Sequence, residues 1–222
     1  MSSSVKAEFE KNKYVKISKG VTPEIIEFCR YYIEVFAYRH DKIMELLPNY
    51  YNGDDHGEFI LESHRDRDDF HAGNSFNKYG DLMSESLLLG LRESIGTHLG
   101  LELVPTYGYF RIYTEGNDLK KHIDRDACEI SMTICVGCEG ESWPIFIDGT
   151  PVYQEPGDLI IYRGCEVEHW REAFEGTRHA QMFLHYNDKN GSYGEDNLYD
   201  SRPFVGMPAW TGALQDTSWR RS

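Results

Sequence analysis

Glu129-Ile130-Ser131-Met132-Thr133-Ile134-Cys135-Val136 alternates between polar and apolar residues, the period of two that a β-strand imposes on its side chains. It predicts a strand with Ser131, Thr133 and Cys135 on one face and Ile130, Met132, Ile134 and Val136 on the other. Buried hydroxyls cost free energy unless they are bonded, so this pattern implies a polar interior that a polar ligand would satisfy. Similar runs lie at Tyr107 to Tyr113, Leu119 to Asp124, Ile145 to Ile147, Leu159 to Tyr162 and His179 to Tyr186. Six or more short strands divided by turns predict a sandwich or barrel in the second half of the chain.

Upstream of Gly100 the hydrophobic period is near 3.6 instead. Thr22-Pro23-Glu24 reads as a helix start, with a hydroxyl cap, a proline at the first helical position and an acid near the positive end of the dipole. Ile25, Ile26, Cys29, Ile33, Phe36 and Ala37 then predict one long or broken helix over 22–47, stopped by Pro48. Leu82, Met83, Leu87, Leu88, Leu91, Ile95 and Leu99 predict a second helix closed by Gly100. Between them, Asn49 to Gly80 is polar and too long for an idle connection. With the tail after Asn187, it reads as a substrate-facing lid, and Phe204, Trp210 and Trp219 predict that the tail packs back on the body. The chain is thus read as one domain, 1–222, mainly β with flanking helices. Residues 1–104 form a helical buttress and polar loop, 105–186 the β core and 187–222 the tail.

Among the 222 residues, 37 are Asp or Glu and 23 are Lys or Arg, a net charge of -14 that repels phosphate backbones and argues against a nucleic-acid partner. No stretch approaches the roughly 18 apolar residues of a membrane helix, and Met1 to Lys13 has no apolar signal core, so the expectation is a cytoplasmic protein without a membrane partner. Five cysteines, an odd number, read as free thiols in a reducing compartment. Cys135 and Cys138 form a CxxC with no second pair to complete a zinc site. Oligomeric state is not legible.

His122-Ile123-Asp124 sets two metal ligands two apart, the step that returns to one face of a strand. Alone it also reads as a surface pair. His169 follows after Pro156-Gly157-Asp158 and the apolar run Leu159 to Tyr162, where a later strand would bring it beside the first two. Two imidazoles and one carboxylate on one face of an iron(II) ion leave adjacent positions open for oxygen chemistry. A zinc site or a metal-binding cupin is the rival reading, although cupins crowd three histidines and a glutamate. His185 reads as a core or rim histidine, and His56, His64 and His71 as solvated. Trp143 and Trp170 read as pocket walls, and Arg111, alternating inward with Tyr107, Tyr109 and Tyr113, needs an acid partner.

Taken with Arg111-Ile112-Tyr113, Gly116, Leu119, Trp143-Pro144 and Pro156-Gly157-Asp158, the HxD and distal His resemble prolyl 4-hydroxylase-type 2-oxoglutarate and iron(II)-dependent dioxygenases over about residues 105–186. The resemblance implies a double-stranded β-helix, or jelly roll, buttressed by the two N-terminal helices. It implies that His122, Asp124 and His169 bind iron(II). Arg178, nine residues past His169, would pair with the distal carboxylate of 2-oxoglutarate, with Tyr113 and Thr133 also on that co-substrate. The implied reaction uses O2 to couple oxidative decarboxylation of 2-oxoglutarate to hydroxylation of an unactivated C–H bond, with ascorbate as a stimulant. The carboxylate of Asp124 argues against a halogenating variant. The implied substrate is a prolyl residue of a protein or peptide. A free amino acid or other small metabolite is the alternative, and a non-catalytic 2-oxoglutarate-binding module is the alternative of another class.

Overall fold

Gly100 is the point where the helical period ends, and its backbone shows why: it takes a left-handed φ of 71° and its N–H closes on the Gly96 carbonyl, a geometry that glycine adopts without a Cβ penalty. The computed structural model describes residues 2–46, 75–140 and 142–207. Before Gly100 lie α1 (Ser2–Asn12), β1 (Tyr14–Ile17), α2 (Pro23–Leu46), β2 (Phe76–Tyr79) and α3 (Leu82–Leu99). Asp81 caps α3 by accepting the Met83 and Ser84 N–H groups. After it come β3 (Leu103–Thr114), β4 (Leu119–His122), β5 (Ile130–Glu139), β6 (Ile145–Ile147), β7 (Thr150–Val152), β8 (Leu159–Arg163), β9 (His169–Arg171) and β10 (Arg178–Asp188).

The strands form two sheets, a six-stranded one in the order β1-β8-β5-β10-β3-β2 and a four-stranded one in the order β4-β9-β6-β7. Every pair is antiparallel. The larger sheet has the two unlike faces that 129–136 predicts. Ile130, Met132, Ile134 and Val136 join Ala180, Met182 and Leu184 of β10 in one core with Ile26, Cys29 and Ile33 of α2 and Leu88, Ile95 and Leu99 of α3. The opposite face points at the smaller sheet and carries the polar and aromatic residues. This is a jelly roll whose large sheet is covered outside by helices.

Among the elements that were not legible beforehand are α1, β1, β2 and β7. In α1, Phe9 is buried against the body while most of the helix is polar, too thin an apolar stripe for periodicity to register. Strand β1 earns its state from pairing with β8, Tyr14 opposite Tyr162, which is tertiary context rather than propensity. The sequence reading of a loop running to Gly80 is corrected by β2, which pairs with β3, Phe76 opposite Ile112. The rest of that loop, with His56, His64 and His71, and the tail from 208, with Trp210 and Trp219, lie outside the described residues.

Candidate metal centre and the buried polar layer behind it

Strands β4 and β9 pair with His122 directly opposite His169, and their ring centroids are 4.3 Å apart. Asp124 lies two residues on but beyond the end of β4. The same-face argument is therefore not what delivers it. Its backbone N–H is held by the Gly164 carbonyl at 2.8 Å, and a Cβ on Gly164 would stand 2.3 Å from Asp124 Oδ2 and 2.3 Å from the Cys128 carbonyl oxygen. A glycine is required there for the backbone and the carboxylate to approach so closely.

Asp124 Oδ1 lies 3.5 Å from His122 Nε2 and 3.4 Å from His169 Nε2, and the three donor atoms fall within 4.8 Å of one another. Each imidazole is oriented by its other nitrogen. His122 Nδ1 donates to the Lys120 carbonyl at 2.6 Å and His169 Nδ1 to the Val167 carbonyl at 3.1 Å. A carbonyl can only accept, so the proton sits on Nδ1 and both Nε2 lone pairs converge on Oδ1. Two imine nitrogens and an anionic oxygen on one side of a point are a donor set suited to a divalent transition metal with open positions.

The other carboxylate oxygen faces inward. Ser131 Oγ donates to Asp124 Oδ2 at 2.6 Å and also lies 2.9 Å from His185 Nδ1. His185 is buried, its imidazole pushed down to about 4, mainly by burial, and its Nε2 has no hydrogen-bond partner among the described residues. It stacks among Tyr107 and Tyr109, with centroids 4.6 and 5.8 Å away. The period-two reading places Ser131 on this face, but the link from His185 to a ligand is a tertiary contact with no signal in the sequence.

Deeper in the interior, Thr133, Gln154 and Gln181 are hydrogen-bonded into one layer. Gln181 Nε2 donates to Thr133 Oγ1 and to Gln154 Oε1, and Gln154 Nε2 donates to the Thr133 carbonyl at 3.0 Å. Tyr113 is fully buried, edge-on to Trp143 at 4.9 Å. Trp143 thus lines the interior, whereas Trp170 turns outward and stacks on Phe146 at 5.2 Å. Arg111 also faces in, donating to Ser75 Oγ at 3.0 Å.

Arg178 does not reach this layer. It pairs with Thr114 in a β3–β10 register that runs unbroken from Arg178 to Leu184. That parity puts it with Ala180, Met182 and Leu184, on the side turned to the helices, while His179, Gln181, Phe183 and His185 turn inward. The co-substrate role expected of Arg178, nine residues past His169, asks for the opposite face of the strand from the one this alternation gives it. A second inward-facing cation is Arg171, on the same strand as His169 and two residues further on. It is 2% exposed, with Nη1 donating to the Trp143 carbonyl at 2.6 Å and Nη2 to Gln154 Oε1 at 3.3 Å. Among the described residues its Nε has no partner and no carboxylate pairs with it. Burial holds the guanidinium below its ordinary value. A buried cation surrounded by neutral groups is costly unless an anion joins it, so the donor set and this charge together fit a metal and an acidic ligand.

No family model matches the chain, nor does any curated protein. Solved structures do. A prolyl-4-hydroxylase from Pseudomonas putida superposes with a TM-score of 0.57 at 16% identity over 85% of this chain and 99% of that one. An oxidoreductase of the 2OG-Fe(II) oxygenase family from Burkholderia pseudomallei gives 0.59 at 13% identity, covering 91% and 95%. The α-ketoglutarate-dependent carbocyclase SnoK of nogalamycin biosynthesis gives 0.61 at 11% identity, covering 96% and 95%. The chain has the jelly-roll fold of these oxygenases.

Proposed function

We propose that this chain is an iron(II)- and 2-oxoglutarate-dependent dioxygenase. The observation that carries the reading is the pairing of opposites in one interior: a three-donor cluster built on a carboxylate, and behind it a buried guanidinium with no counter-charge. A dicarboxylic keto acid would be held at one end by the metal and at the other by the cation. His122, Asp124 and His169 would hold the iron, and Arg171, with Tyr113 and Thr133 beside it, would hold the distal carboxylate. Bound there, iron(II) supplies oxygen activation while 2-oxoglutarate supplies two electrons, giving succinate, carbon dioxide and a hydroxylated product.

The residues of the chain contribute position and charge. The Lys120 and Val167 carbonyls fix the tautomers of the two imidazoles, and Ser131 fixes the rotation of Asp124. Trp143 and Tyr113 keep water from the guanidinium, so that its pairing with a carboxylate takes place at low dielectric. The rows of Tyr107, Tyr109, Phe183 and His185 line the same interior on the Asp124 side. For the substrate, the sequence resemblance and the likeness to a prolyl-4-hydroxylase support a prolyl residue of a peptide; a free amino acid or other small metabolite is the second reading, supported by the likeness to SnoK.

The test is succinate formation from 2-oxoglutarate with iron(II) and ascorbate, run with prolyl peptides, free proline and other amino acids. Slow turnover stimulated by one candidate supports the enzyme and names its substrate class. Absence of succinate in a protein that has bound both iron and the keto acid would leave a binding module instead.

A further inference from the structure

His185 stands behind the metal ligand Asp124 with one ring nitrogen engaged and the other unused. Ser131 Oγ has a single proton, and the carboxylate and carbonyl oxygens it reaches, Asp124 Oδ2 at 2.6 Å and the Cys128 oxygen at 3.1 Å, can only accept. The 2.9 Å contact between Oγ and His185 Nδ1 is therefore a bond that Nδ1 donates. A neutral imidazole that donates from Nδ1 carries its lone pair on Nε2. That atom belongs to a side chain only 3% exposed, and it has no hydrogen-bond partner among the described residues.

The described neighbours do not supply the missing donor. Tyr107 and Tyr109 lie at 34° and 18° to the imidazole and pack along its ring, and the Tyr107 hydroxyl is engaged with Cys128 Sγ at 3.1 Å. Phe183, the inward residue before His185 on β10, stacks on Tyr109 at 4.6 Å and has no polar atom in its side chain. A buried acceptor left without a donor asks for an explanation, and beside a metal centre a ligand that brings the donor provides one. We propose that His185 Nε2 accepts a hydrogen bond from the substrate, which therefore presents an N–H or O–H on the Asp124 side of the interior. The inference rests on the dioxygenase reading and chooses within it. A prolyl residue inside a peptide has a tertiary amide with no N–H of its own, whereas a free amino acid or a hydroxyl-bearing metabolite carries the donor.

Two readouts test it. Nitrogen NMR of the full chain, labelled at histidine and loaded with zinc(II) and 2-oxoglutarate, should show His185 Nε2 unprotonated; a protonated Nε2 overturns the assignment. In the succinate assay with iron(II), each free amino acid, amine or alcohol that stimulates turnover is compared with its methylated form lacking the donor, the trimethylated amine in the case of an amino acid. Wild type is expected to favour the donor-bearing form at least about 30-fold in kcat/KM, because the analogue leaves a buried group of the site unpaired. His185→Phe should lower that ratio at least about tenfold, and His185→Gln, which offers an amide oxygen, should restore part of it. A merely structural His185 would slow both compounds together and leave the ratio where it was, which overturns the proposal. So does a wild type that treats the two forms alike, or a turnover that no donor-bearing compound stimulates. Absence of succinate in every sample removes the dioxygenase reading and this inference with it, whereas succinate formed with an unchanged ratio removes the inference alone.

Discussion

The two ends of the barrel interior treat charge in opposite ways. At the mouth, Asp124 is supplied from three sides, by His122 and His169 on one oxygen and Ser131 on the other. At the deep end, Arg171 has a carbonyl, an amide and an aromatic face, with its centre 4.7 Å from the Trp143 ring, but no acid. A protein that retained both only for stability would gain by replacing them with apolar residues, since desolvating a charge costs more than neutral partners return. The contrast indicates a ligand that completes both ends together, and each prediction below either breaks or sharpens it.

The largest effect is expected at the mouth. His169→Ala and Asp124→Ala should each lower affinity for cobalt(II), used as a redox-silent probe, by more than about 100-fold and abolish turnover, as read by calorimetry and succinate assay. Cobalt affinity equal to wild type in both variants would dissolve the metal centre.

Next comes the deep end, where Arg171→Met should raise the 2-oxoglutarate requirement at least about 100-fold, equivalent to roughly 3 kcal/mol, while leaving cobalt affinity nearly unchanged. Without ligand the same variant should be as stable as wild type or more so, because it removes an uncompensated buried charge. Arg178→Ala, on the helix-facing side of β10, should change the requirement by no more than about threefold. The reverse ranking would return the role to Arg178.

A smaller effect is expected from Ser131→Ala, which frees Asp124 Oδ2 and should weaken metal binding about tenfold. His185→Gln keeps a polar group beside Ser131 and should do less.

The smallest effect is on the pH dependence of stability. His179 and His185 are held neutral, pushed down to about 3 and about 4, chiefly by burial. Between the unfolded value near 6.5 and these folded values, the unfolded chain binds protons that the folded one does not, so stability is full above about 6.5 and declines as pH falls toward 4. Denaturant titrations at stepped pH should show that slope, and His179→Gln should flatten it.

The two helices and most of the core strands were legible because they rest on local periodicity. α2 starts, and α3 starts and ends, within a residue of where caps and stops place them, and β5 shows the faces its alternation predicts. Of the chemistry, the types and spacing of His122, Asp124 and His169 carried enough information to nominate the cluster that the fold brings together. The inward-facing cation Arg171 was not legible in the same way. A one-residue difference in register exchanges the two faces of a strand, and nothing local in Arg178-His179 says which side chain turns inward.

The sequence by itself determined the periods of its segments, the polar face of 129–136 and the residue types able to bind a metal, because each is a property of neighbours along the chain. Only the tertiary structure decided that Asp124 is delivered by contact with Gly164 rather than by its strand, that Ser131 and His185 stand behind it, and that Arg171 is buried beside Trp143 and Gln154. Those facts depend on which strands pair and in what register, and register is set by the packing of the helices and both sheets at once, a sum of distant contacts that no short stretch of sequence contains.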